Sequence, residues 1–154
     1  MKWFKRIVLF LLMMFLMFLP TILFKTDRAF YDSLKGPKLP SFVFIIVWTI
    51  VDICFSIFFV FHIENKKKYP KKNFRRTAIF FVLTYIVYFL FPYFFFVKQS
   101  LFYGYIFTLS NLLFVSLTLL ESLLLNKKSS LLLLPYVIWT SIASVLSILL
   151  YLNN

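Results

Sequence analysis

Arg28-Ala29-Phe30-Tyr31-Asp32-Ser33-Leu34-Lys35-Gly36-Pro37-Lys38-Leu39-Pro40-Ser41-Phe42-Val43-Phe44-Ile45-Ile46-Val47-Trp48 is the one long polar connection in the chain that also carries aromatics, two prolines and a following tryptophan. Pro37 and Pro40 each fix a backbone torsion and bias the preceding residue away from helix. The segment therefore reads as a stiff extended piece that delivers the chain into the apolar run from Phe42. A plain linker has no use for Phe30, Tyr31 and Trp48 around such a turn. Two readings stay open: a lid over an apolar pocket, or an interfacial aromatic anchor at headgroup level.

The sequence on either side sets the class. Of 154 residues 62% are hydrophobic, and mean hydropathy is +0.92, whereas soluble domains are about half apolar. Twenty-three Phe against two Gly point to helices solvated by lipid, in one membrane domain spanning 1–154. The net charge of +12 sits in short segments between apolar runs. That placement is topological, which argues against nucleic acid as a partner. Cys54 is the single cysteine; it excludes an intrachain disulfide and reads as a small hydrophobe inside a span.

Five apolar runs approach the roughly 20 residues a spanning helix needs: Ile7–Phe24, Phe42–His62, Thr77–Val97, Phe102–Leu125 and Leu131–Leu152. Lys2, Lys5 and Arg6 could open a signal peptide, but no small-x-small cleavage site follows, so the first run reads as a retained helix bent or ended by Pro20. The third and fourth runs, separated only by Lys98-Gln99-Ser100-Leu101, predict a tight antiparallel pair. Counted by side, 12 Lys/Arg fall with the N-terminus and 5 with the Arg28–Ser41 loop. The positive-inside rule then puts the N-terminus in the cytoplasm. The run from Lys66 to Lys72 is this anchor, or a contact for anionic lipid.

In lipid, small and polar residues mark the faces where helices meet. Gly104, Thr108, Asn111, Val115, Thr118 and Ser122 form one stripe, and Thr140, Ser144, Ser147 and Tyr151 another beside Trp139 and Ala143. The second span offers Trp48, Asp52, Phe55, Phe59 and His62, and the third Thr84, Tyr88, Phe91 and Phe95. These are packing seams, or, where Trp48, Tyr88, Phe91 and Trp139 converge, walls for a large flat apolar ligand. Asp52 at this depth must be neutral, paired or facing a wet cavity; a structural hydrogen bond to a neighbouring helix is the other reading. Glu121 and His62, near span ends, are expected to reach the interface. One His and one Cys assemble no metal site of ordinary ligand count, and no catalytic triad, carboxylate pair or phosphate loop is present.

Three strings in register resemble the TspO/MBR family of tryptophan-rich sensory and translocator proteins. They are Phe30-Tyr31-Asp32-Ser33-Leu34-Lys35-Gly36-Pro37 (aromatic-Tyr-x-x-Leu-x-x-Pro), Val43-Phe44-Ile45-Ile46-Val47-Trp48-Thr49 (V-F-P-P-V-W-T) and Leu134-Pro135-Tyr136-Val137-Ile138-Trp139 (L-P-Y-x-x-W). Phe30 stands where the family usually has Trp, Pro37-Lys38-Leu39-Pro40 shortens its P-x-W-x-P-P, and the third span lacks its Asn- and Trp-containing string. The sterol motif beginning at Val145 stops at Tyr151 without a following cation. The resemblance implies an all-α fold, a five-transmembrane-helix bundle, often dimeric, with the loop between the first two helices capping a pocket. It implies binding of porphyrin-like tetrapyrroles, isoquinoline- or benzodiazepine-type compounds or sterols, in sensing or transport from a bacterial cell membrane, with no cofactor required. The alternatives are a porphyrin-degrading enzyme using Trp48 and Trp139, and a scaffold without a ligand. The expected ligand-binding residues are Tyr31, Trp48, Asp52, Thr84, Tyr88, Phe91, Asn111, Trp139 and Ala143.

Overall fold

Five helices long and apolar enough to cross a bilayer make up the computed structural model, which describes residues 2–154, with side chains from Trp3 onward. They are α1 (Lys2–Leu23), α3 (Ser41–Glu64), α4 (Lys71–Pro92), α5 (Leu101–Leu123) and α7 (Leu134–Asn153). Two short helices, α2 (Arg28–Ser33) and α6 (Lys127–Ser130), lie in the connections. A π-helical turn, Tyr93–Val97, prolongs α4, and a 3₁₀ turn, Leu131–Leu133, joins α6 to α7. The first loop is thus extended only after Ser33. Asp27, in extended conformation, accepts from the Phe30 N–H at 3.0 Å and starts a helical turn there, as an N-cap aspartate does.

Prolines shape two of the spans. Pro20 lies inside α1 and has no N–H for the Leu16 carbonyl. The Tyr85 hydroxyl donates to that carbonyl at 2.9 Å, and the Tyr88 hydroxyl to the Met17 carbonyl at 2.8 Å. In lipid no water can fill such a gap, so a side chain from the next helix does. Pro92 precedes the π-helical turn, which closes with the Lys98 N–H on the Tyr93 carbonyl at 3.0 Å. Gln99 (φ 50) then turns the chain and Ser100 caps α5.

Neighbours in space define a ring in the order α1, α3, α7, α5, α4, which closes because α4 also packs on α1. The α4–α5 and α5–α7 seams are the most extensive. Gly104, Thr108, Asn111, Val115, Thr118 and Ser122 are all buried, along one face of α5. A Cβ on Gly104 would run into the Phe95 ring, so this glycine allows the close approach of α4 and α5. Thr84 and Thr118 meet across that seam at 3.3 Å while each also bonds a carbonyl of its own helix. Phe55 stacks on Phe81 at 4.3 Å between α3 and α4. Large apolar side chains such as Phe15, Ile46, Val82, Leu113 and Ile138 face outward, the surface a bilayer solvates.

At the end away from the first loop, Arg6 pairs with Glu64 at 2.6 Å and Arg76 pairs with Glu121. Glu121 is buried, and its partner Arg76 is exposed. His62 is also buried: its ring stacks on Phe74 at 4.3 Å and 7°, and on Phe58 at 5.7 Å. These two rings cover it in the last turn of α3. Cys54 is half-buried within α3.

Candidate functional site

At the opposite end the helices part around a cavity of about 370 Å³, within the size range of small-molecule pockets. Its walls are aromatic. On α3, Phe44, Trp48 and Asp52 follow one another at intervals of four residues, one turn each, and all line the cavity. Trp48 is the hub: its ring centroid lies 5.1 Å from Tyr88, 5.9 Å from Tyr136 and 6.1 Å from Trp139. Phe44 meets Trp139 at 5.5 Å and 81°. Such tilted and edge-on pairs leave ring faces free for stacking. Tyr88 spends its hydroxyl on Met17 and therefore offers the cavity its ring.

The first loop closes the mouth. Tyr31 from α2 lines the cavity and packs edge-on against Phe44 at 5.7 Å and 84°. Its hydroxyl oxygen accepts from the Leu39 N–H at 3.2 Å. Burial pushes the phenol up from its ordinary value, so it keeps its own proton to donate. Phe30 packs on Phe95 at 5.8 Å, and Leu34 is buried in a cluster with Phe95 and Leu150. Two polar ties hold the loop from outside. Asp27 accepts from Gln99 Nε2 at 3.2 Å, and the Asn154 side-chain amide pairs with both the N–H and the carbonyl of Lys35 at 2.9 Å each. Gly36 (φ 108) makes the turn beside Asn153.

The floor is polar. Asp52 Oδ1, Asn111 Oδ1, Tyr136 Oη and Trp139 Nε1 are buried without a hydrogen-bond partner. Asp52, Asn111 and Trp139 line the cavity. The nearby hydroxyls of Thr108 and Thr140 bond carbonyls of their own helices. Arg28 lines the cavity from the loop and is the one cationic residue among the described residues to do so. No cluster of three or more His, Cys, Asp or Glu exists among the described residues.

Tyr31, Trp48, Asp52, Tyr88, Phe91, Asn111, Trp139 and Ala143 are brought together around this one cavity. Thr84 is not: it lies a turn below Tyr88 in the packed α4–α5 seam, bonded across to Thr118. The sequence reading passed over Phe44, Thr108, Thr140 and Arg28, which also line the cavity. The four-residue spacing of Phe44, Trp48 and Asp52 was the signal for the first, and Thr108 already lay on the α5 stripe beside Asn111.

Fold and site together define an α-helical membrane protein whose first loop caps an aromatic pocket between five spans. The TspO/MBR family model matches residues 7–152. Tryptophan-rich protein TspO of Bacillus cereus is 30% identical over 154 residues, covering 97% of this chain and 97% of the relative. The chain belongs to the TspO/MBR family.

Proposed function

We propose that the protein binds a flat hydrophobic small molecule in the capped cavity, in sensing or transport, with porphyrin-like tetrapyrroles as the first class to test. The observation that carries this reading is the set of aromatic edges and faces around Trp48, which Phe44, Tyr88 and Trp139 complete into a box open toward the loop. A core built only for packing would not leave this volume among its largest side chains, since voids larger than a water are few in close-packed interiors. The partners are the lipid bilayer around the outer faces and the ligand within.

Reconstituted protein titrated with protoporphyrin IX, in the dark and under illumination, tests the proposal. Saturable quenching without a new product supports binding. A bilin-like absorbance that depends on light, on molecular oxygen as oxidant and on Trp48 or Trp139 replaces binding with degradation, with the two indoles 6.1 Å apart at the cavity wall. No saturable signal with any flat aromatic probe leaves a scaffold.

A further inference from the structure

The acid on the cavity floor has no cationic partner among the described residues, and from this we propose that the pocket selects flat ligands carrying a cationic nitrogen, whose N–H groups reach Asp52. The inference rests on the ligand-pocket reading and narrows the ligand class. Asp52 is 3% exposed, lines the cavity and leaves Oδ1 without a partner. The hydroxyls of Tyr88, Thr108 and Thr140 are committed to the Met17, Tyr105 and Tyr136 carbonyls, which leaves Tyr136 Oη and Trp139 Nε1 as the neutral donors on the floor without a partner. Arg28 lies up at the loop, whereas Asp52 is eleven residues past Ser41 along α3, roughly 16 Å down the helix axis.

A carboxylate in such a place is costly unless paired, and among the described residues none supplies a positive charge at that depth. A ligand ammonium or protonated ring nitrogen supplies it, in a hydrogen bond about twice as strong as one between neutral groups. The surrounding rings favour the same charge. Trp48, Tyr88 and Trp139 present π-systems that attract a cation and do nothing for an anion, and an aromatic cage is the usual receptor for ammonium groups. Asn111 Oδ1, likewise without a partner, accepts a further N–H. Acid, cage and amide acceptor point to one ligand chemistry.

The test compares two fluorescent probes of the same shape, pyrenemethylamine and pyrenemethanol. The full chain is held in nanodiscs of uncharged phosphatidylcholine, as wild type and as Asp52→Asn. The wild type is expected to bind the amine about tenfold more tightly than the alcohol. Asp52→Asn, which keeps shape and removes charge, is expected to bring the two within about twofold. Equal affinities on the wild type overturn the inference but leave the pocket reading standing. An amine preference that survives in Asp52→Asn overturns the role of Asp52. If neither pyrene binds saturably while protoporphyrin IX does, the inference falls and the pocket reading stands; if none of the three binds, both fall. Should Asp52→Asn fail to fold by thermal melting, Asp52→Ser is the second variant, and the wild-type amine-to-alcohol ratio stands without any substitution.

Discussion

Ala143 lies one turn beyond Trp139 on α7 and lines the cavity, a small side chain beside a large indole. A small residue has two uses in a membrane helix: it lets a neighbouring helix approach, or it leaves room for a ligand ring. Ala143→Phe separates them. In a packed seam an extra ring costs about 1–3 kcal/mol and lowers the melting temperature. In an open cavity it fills empty volume, so the expected outcome is lost porphyrin or pyrene binding with unchanged melting. A large fall in melting temperature with affinity preserved in the folded fraction would remove this face of α7 from the site. Gly104 supplies the contrasting case. Phe95 occupies the place of its missing side chain, and Phe95 is buried between Phe30 and Leu150. Gly104→Leu is therefore expected to cost stability, measured as a lower melting temperature, and to loosen the loop that Phe95 supports.

Elements are tied to one another through groups that single helices leave unsatisfied. Pro20 frees the Leu16 carbonyl of α1, and Tyr85 of α4 takes it. Tyr85→Phe is expected to cost about 1 kcal/mol, the net worth of one such hydrogen bond. In a Pro20→Ala background, residue 20 has an N–H to satisfy Leu16 itself, so the same change is expected to cost much less. Unfolding measurements on both singles and the double mutant give this coupling directly. The loop shows the same principle with a functional consequence. Asn154→Leu removes both bonds to Lys35 while leaving Leu34 seated, and faster ligand release in stopped-flow displacement is the expected result. These ties also mark the limit of what the sequence could show. The α5 stripe was legible because lipid-facing helices put their few small and polar residues inward, and the structure buries every one of them. The helix at Arg28–Ser33 was hidden by Pro37 and Pro40, which govern only the residues beside them, while Asp27 caps the turn upstream. Thr84 shares a face with Tyr88, and periodicity identifies faces; it does not say at what depth a cavity ends and a seam begins. The arginine that holds Glu121 and the Phe74 ring that covers His62 both come from α4, which no local pattern names.

For the whole molecule, the bilayer sets one remaining choice: which way the ring of helices faces. Five spans put α1's start, the α3–α4 connection and the α5–α6 connection on one side. That side carries 12 of the 17 Lys and Arg, including the run from Lys66 to Lys72. The opposite side carries the capping loop, the α4–α5 turn with Lys98 and the far end of α7. Cytoplasmic segments retain excess cations because these resist translocation. The acids bear this out only in part: Glu64 and Glu121 lie at the cation-rich end, but each is bonded to an arginine there and so adds no free negative charge to oppose the bias. The expected topology is a cytoplasmic N-terminus with the cavity mouth facing out. Labelling with a membrane-impermeant maleimide tests it on a Cys54→Ser background, which removes the single native thiol. Ser33, exposed on α2, and Asn73, in the first turn of α4, each become the sole cysteine in turn. Cysteine at 33 is expected to react in intact cells, and cysteine at 73 only after permeabilisation. The reverse pattern would turn the cavity mouth toward the cytoplasm, and ligand would then have to be supplied from within the cell.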